Sequence, residues 1–572
     1  MMTITNIKFT AVCYSVILKE KVRIFTCACS LKFSYYLYGI RLPKQFQRFY
    51  GLLLMRRFTE RSLFFMANAE TQTMNLDPRT PLFTKADRMM YIHSAIGFAI
   101  MAIFWLAPAA APLTPIGMKL VGIFLGMVYL WSTVSCLWPS VLGLFLIGLS
   151  GFAGQGFAGM KAVVLTGFGN DTVVMMLFIM VLFGAMDEVG CTQYIARWFL
   201  TRKIITGRPF AFLAVFYLGC YVLSTLVSPI TSLLLLWPVS LKIMKTLGVE
   251  RTDKIWPIFF VGMFFISAIG MPFFPFLSAQ LVVLSAFDAM TKGTMPVPYL
   301  PYMALNFIMS MLLIVTFLGA VKFIFRPDIS KLKAIDAERI AEQEKLPPMN
   351  IQQKIMMAVL PIFILMLLAP SFLPKSLAIV KLLGSLGTIG VAMFWIAILC
   401  FIRIGGKPII NFKEVAYRQL SWDVFFLVAA AVYAANAISH ESTGVNAFVI
   451  QLLNPILGDA SEMVFVAILF TAAIVLTNFA NNAAMAIILM PIILAFCGQL
   501  GLPPIPIAMG VTQLVFLAML TPAACPHASM MFGRKDIYEV KDIMKYGFPM
   551  VTIGLLYFIF IGYPLAKFLF GA

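Results

Sequence analysis

The chain has 572 residues, of which 61% are apolar and 12% charged, about half the charged share of a soluble domain. Lys and Arg outnumber Asp and Glu by 19, but basic membrane proteins gather such residues in cytoplasmic loops, so nucleic-acid binding is the weaker reading. Nine scattered cysteines with no CxxC give no sign of a disulfide framework or a cysteine metal site.

Residues 1–65 carry eleven Lys/Arg against two Glu, with three of the nine cysteines. They match neither a cleavable signal peptide nor a clean spanning helix. From Met66 the chain reads MANAETQTMNLDPRTPLFTKADR, a polar cytoplasmic leader. Residues 1–65 are therefore a basic N-terminal extension: an upstream addition to a chain that starts at Met66, or a true basic tail. Residues 66–90 are the leader, 91–325 a first repeat, 326–354 a charged cytoplasmic linker, and 355–572 a second repeat.

Apolar stretches of about 20 residues, the length that crosses the hydrocarbon core, recur to the C-terminus. Eleven predicted spans fall at 91–111, 118–134, 138–153, 172–189, 256–288, 303–324, 355–373, 383–403, 422–439, 506–532 and 546–569. Two further stretches, 210–247 and 463–499, are too long for one span and are broken by LSTLVSPITS (223–232) and TNFANNAA (477–484). They read as re-entrant hairpins whose tips stop in mid-membrane, with two full spans each as the alternative that length leaves open. The fold class is thus an all-α polytopic membrane protein, with about eleven transmembrane helices plus two hairpins.

Loop charge orients the chain. The segments 190–210 and 241–255, flanking the first hairpin, hold Arg197, Arg202, Lys203, Arg208, Lys242, Lys245, Arg251 and Lys254; those flanking the second, 440–462 and 497–506, hold no Lys or Arg. Lys and Arg mark the cytoplasmic side. The first hairpin then opens inward and the second outward, with the N-terminus inside. Asp171 begins DTVVMMLFIMVLFGA, and Asp423 begins DVFFLVAAAVYAANA about 250 residues later. SPITSLLLLWP (228–238) answers NNAAMAIILMP (481–491), and GMPFFPFLSAQ (270–280) answers LTPAACPHASM (520–530). The opposite loop charges make these inverted repeats, an arrangement that places one midplane site between two alternating faces.

Four interruptions, at 228–232, 270–275, 478–483 and 521–527, carry the candidate site. Broken helices free N–H groups that favour anions and carbonyls that favour cations. No Lys or Arg lies at any of them, so a bound anion would depend on helix ends, hydroxyls and amides. Ser228, Thr231 and Ser232 are the first-half candidates, although such hydroxyls also bond back to their own helix. Asn478, Asn481, Asn482 and Thr521 are the second-half candidates, since amides at membrane depth are costly unless bonded. His527 could donate to an anion or carry a proton. Asp171 and Asp423 read as helix caps, and three dispersed histidines with no HExxH argue against an enzyme.

From about Met90 to Ala572, and most of all in TNFANNAAMAIILMPI (477–492) and LTPAACPHASMMFG (520–533), the chain resembles the divalent anion:sodium symporters. These are dicarboxylate and sulfate transporters of the ion-transporter superfamily. In that family each hairpin tip carries Ser-Asn-Thr and each broken helix a Thr-Pro-Pro-Asn-like turn. Here the tips read Ser228-Pro229-Ile230 and Asn481-Asn482-Ala483, and the second turn reads Cys525-Pro526-His527-Ala528. The resemblance implies a transporter of small anions with no resident cofactor, Na⁺ as coupling ion near Asn481 and Asn482, and a homodimer. The expectation is a secondary transporter of a small anion, a carboxylate first, in the cytoplasmic membrane. A proton-coupled exchanger or an uncoupled anion permease is the alternative.

Overall fold

A computed structural model describes residues 84–572 apart from Ser228, Lys375 and Ala523. The extension 1–65, most of the leader and Ser228 therefore lie outside the described residues. Lys85–Ala572 form one compact unit. The helices in chain order are α1 Lys85–Leu106, α2 Pro115–Thr133, α3 Leu137–Leu149, α4 Gly156–Phe168, α5 Asp171–Glu188, α6 Cys191–Leu200, α7 Pro209–Leu226, α8 Pro229–Thr246, α9 Ile255–Gly270, α10 Ser278–Met290 and α11 Tyr299–Ala320. After a short linker helix, α12 Ala337–Gln343, come α13 Ile351–Phe372, α14 Ala378–Phe401, α15 Phe412–Gln419, α16 Trp422–Ser439, α17 Val445–Leu457, α18 Glu462–Thr477, α19 Asn482–Leu500, α20 Pro504–Leu514 and α21 Pro526–Gly533. The last span, α22 Val540–Phe570, contains two π-helical stretches.

Ten helices among the described residues are long and apolar enough to cross a membrane, or up to twelve with two bent pairs included. The protein is an all-α polytopic membrane protein. Both long apolar stretches divide as hairpins, α7 with α8 and α18 with α19. Pro229 stands at the first position of α8, where its fixed φ suits a helix start and its missing N–H costs nothing. Thr231 and Ser232 therefore lie on a helix, not in a loop as the sequence suggested. Likewise Asn482 already begins α19. The expected spans 256–288 and 506–532 are each two helices. One is interrupted at 271–277, and the other over the longer stretch 515–525.

Three further departures have simple causes. The first helix starts at Lys85, inside the segment read as leader. Helix α14 is broken at Gly387, whose φ of 60° and ψ of −175° suit glycine; a run of glycines at 384, 387 and 390 gave the warning. The short α6 and α15 were missed because they are amphipathic rather than uniformly apolar. Helix α6, for example, buries Cys191, Thr192, Ala196, Phe199 and Leu200 and exposes Trp198.

From α5 onward the order of elements repeats. Helices α5 and α16 both have 18 residues. Each is followed by a shorter helix, a hairpin and an interrupted helix, about 250 residues apart. The two series interlock. Helix α10 packs against α16 and α19, while α21 packs against α8, so each interrupted helix sends its second segment to the other series' hairpin. Trp237 on α8 donates through Nε1 to the Tyr538 hydroxyl at 2.8 Å, and Trp256 on α9 to the Ile537 carbonyl at 3.0 Å.

Candidate functional site

The second hairpin tip is built around Asn478. This residue caps α18, where the chain must turn, and it is buried. Its Oδ1 accepts from the main-chain N–H groups of Met519 (3.1 Å) and Leu520 (2.8 Å), and its Nδ2 donates to the Ile474 carbonyl at 2.8 Å. The Thr521 hydroxyl donates to the Asn478 carbonyl. These bonds place the tip beside the break of the interrupted helix. They also serve donors that unwinding has left without helical partners. Asn478 and Thr521 are thus brought together, but through bonds that fix the break, and the Asn478 amide oxygen is saturated.

Asn481 is the N-cap of α19. Its Oδ1 accepts from Ala483 N–H (3.1 Å) and Ala484 N–H (3.2 Å), and its Nδ2 approaches Cys136 Sγ at 3.9 Å. That oxygen, too, is occupied. Asn482 differs. It is buried, and its one bonding partner among the described residues is the Thr477 hydroxyl, 3.0 Å from Oδ1. The same hydroxyl lies 2.6 Å from the Val515 carbonyl. One hydroxyl proton cannot serve both acceptors. Turning the amide over lets Nδ2 donate to Thr477 and the hydroxyl donate to Val515, which leaves Asn482 Oδ1 as a free acceptor.

His527 is buried on the first turn of α21. Its Nε2 lies 3.0 Å from Cys525 Sγ, and its ring packs against Phe264 with centroids 5.5 Å apart. In the first half, Thr231 is half-buried and Ser232 fully buried on the first turn of α8. The tip approaches its own break closely: a Cβ on Gly270 would collide with Ser224 Oγ and lie 2.9 Å from the Tyr221 carbonyl, so a side chain there has no room.

Sequence reasoning passed over the most informative polar groups. Among the described residues, the buried side-chain atoms without a partner include both amide atoms of Gln280, both of Gln513, Ser232 Oγ and Ser267 Oγ. All four residues sit within a helical turn of a break: Ser232 after the first tip, Ser267 and Gln280 on either side of 271–277, and Gln513 at the end of α20. Helices α10 and α20, which carry the two glutamines, pack on each other. Leaving a buried amide unpaired costs about 1–3 kcal/mol, and such groups in a native fold call for a ligand, ion or water. The available signal was a glutamine flanked by apolar residues in MGVTQLVFLAM (509–519). Proline and asparagine clusters drew the reading elsewhere.

Chemically, the arrangement offers amides, hydroxyls and main-chain groups, with no side-chain charge at the breaks. A small alkali cation is compatible with it at Asn482, whose oxygen is free once the amide is turned, whereas the Asn481 side chain is committed to its cap.

The family model described as citrate transporter (CitMHS) matches residues 126–513, more than half of the chain. The chain belongs to the citrate transporter family. It is a multi-pass membrane protein. Among relatives of this citrate transporter family chain is an uncharacterized transporter, YfbS, of Escherichia coli, 29% identical over 140 residues, covering 24% of this chain and 22% of that one. An uncharacterized transporter of Haemophilus influenzae is 21% identical over 405 residues, covering 70% and 82%. The Na⁺/citrate cotransporter of Mus musculus is 25% identical over 209 residues, covering 33% and 36%. The match spans about a fifth of the length of the Escherichia coli relative. A solved structure of the YdaH transporter of Alcanivorax borkumensis aligns with a TM-score of 0.44 at 13% identity, over 73% of this chain and 90% of that chain.

Proposed function

We propose that the protein is a secondary transporter of a small carboxylate in the cytoplasmic membrane, N-terminus inside. It works by alternating access between two inverted repeats and functions as a homodimer coupled to a cation, with Na⁺ the first choice. The observation that carries the reading is the set of unpaired groups at the breaks, above all Gln280 and Gln513. A primary amide offers two donors and one acceptor. A bare polyanion would serve the donors and leave both amide oxygens unpaired. A carboxylate that also bears a hydroxyl serves both, and the substrate named for the mouse relative is of that kind. Thr231, Ser232, Asn478, Asn481, Asn482, Thr521 and His527 frame the proposed site, and Ser228 remains a candidate from the sequence alone. Asn478, Asn481 and Thr521 shape the second tip, while Ser232 and Asn482 reach the ligand. The likeness to the sodium-coupled divalent anion symporters supports the coupling, with Asn482 as the side chain suited to hold the ion.

Purified protein should be stabilised by a hydroxylated di- or tricarboxylate more than by its deoxy counterpart, since a ligand of the folded state raises apparent stability. Malate with succinate, and citrate with tricarballylate, are suitable pairs, each in Na⁺ and in K⁺. Stabilisation by no carboxylate in either salt would sink the proposal. Asn482→Ala should abolish uptake while the protein stays folded; full transport by that variant would remove Asn482 from the site. A proton-coupled exchanger would instead use His527, whose Nε2 already faces the Cys525 thiol, and an uncoupled permease would need neither that proton nor a sodium site. Uptake at two pH values, with and without Na⁺, separates the two readings.

A further inference from the structure

Many loop cations of this molecule have a carboxylate partner. Lys242 meets Glu344 at 2.6 Å, Lys331 meets Asp253 at 2.7 Å, Arg418 meets Glu188 at 3.0 Å, and Arg534 meets Asp536 at 2.7 Å. A second group is arranged differently. Arg202 follows the amphipathic α6; its guanidinium lies 4.3 Å over the Trp198 ring and its Nε donates to the Trp198 carbonyl at 2.7 Å. Lys203 is 3.9 Å from Glu338, with both side chains largely exposed. Arg208 precedes α7. Lys322, on the π-turn that ends α11, holds its ammonium 5.9 Å from the Phe210 ring and 5.2 Å from the Phe323 ring. Among the described residues, no carboxylate lies within 4.0 Å of Arg202, Arg208 or Lys322.

The Lys322–Phe210 contact joins the end of α11 to the start of α7, and the turn at 203–205 also packs on α7, so these four cations gather around the amino-terminal end of that helix. Trp198, Ile204, Phe323 and Ile324, next to these cations in the chain or in contact with them, are each more than half exposed. Apolar bodies of this size beside cations, of which Arg202, Arg208 and Lys322 have no carboxylate within 4.0 Å among the described residues, suit one environment. At the membrane boundary the rings and aliphatic side chains meet acyl chains while the charges meet headgroups. Free phosphate would serve the charges and leave the apolar half bare.

We propose that this cluster binds an anionic glycerophospholipid, its phosphodiester held by Arg202, Lys203, Arg208 and Lys322 and its acyl chains lying on Trp198 and Phe323. The site is separate from the proposed transport site and does not rest on the substrate reading. Its test is the thermal stability of the full chain in vesicles of phosphatidylcholine alone and with phosphatidylglycerol. The anionic lipid should raise Tm by several degrees. The variant R202Q/K203Q/R208Q/K322Q should lose most of that shift. A variant that removes four other exposed charges, K245Q/K254Q/K333Q/K535Q, should keep it. The half-variants R202Q/K203Q and R208Q/K322Q, measured alongside, should each lose part of it and guard against misfolding of the quadruple. Equal shifts in the quadruple and its control, no difference between the two vesicle types, or an equal shift from inorganic phosphate alone would each overturn the proposal.

Discussion

The two hairpin tips meet the same difficulty with different chemistry. An unwound segment at membrane depth must have its main-chain groups bonded or be packed dry. At the second break the tip supplies bonds, with Asn478 and Thr521 stitching 519–521 to the end of α18. At the first break the chain supplies rings. Phe273 and Phe274 have centroids 4.8 Å apart, Phe274 and Phe276 5.2 Å, and Phe276 also meets Phe363 and Tyr299. The repeats keep the backbone path and exchange the means of holding it. Polar recognition in the proposed site is then shared among Asn482, Ser232 and the glutamines, while the aromatic rings of the first break serve as packed support.

The comparison breaks most readily at Phe276, which is almost fully buried. Phe276→Ala should cost about 3–5 kcal/mol of stability, read as a fall in Tm, with uptake per folded molecule little changed. Asn478→Ala should cost about 2–4 kcal/mol, because two main-chain donors lose their acceptor. An unchanged Tm there would mean that the second break is not held by bonding. The glutamines should behave in the opposite sense. Gln280→Met and Gln513→Met remove buried unpaired atoms and should raise stability by about 1–3 kcal/mol. Each should lower uptake about tenfold or more, the loss of one good contact. Stability and uptake falling together would place these residues in the packing rather than the site. The smallest effect is Asn481→Ala, about 1 kcal/mol for a lost helix cap, measurable as a small drop in Tm.

Much of the architecture was legible because lipid enforces it. Apolar length marked the spans, Ser228-Pro229 and the asparagines of 478–482 marked the tips, and the prolines at 272, 275, 522 and 526 marked the breaks. Amphipathic α6 and α15 were not legible by apolar length, since they alternate sides instead of running apolar throughout. The site was read less well. The asparagines stood out by composition, yet Asn478 and Asn481 turn their oxygens onto neighbouring N–H groups. Whether an amide caps a helix or faces a ligand depends on backbone geometry that residue type does not carry. Gln280 and Gln513 were missed for the converse reason: each stands in a mostly apolar run with no polar cluster to mark it, and its isolation appears only once its neighbours are placed.

The crossed packing of the interrupted helices bears on how the molecule is made. Helix α10 leaves the ribosome long before α16 and α19, the helices it rests on. The Gln280 segment has a partner of its own half in α5, but the larger part of its packing surface belongs to helices made later. In the finished protein the earlier-made half is therefore completed by the later one.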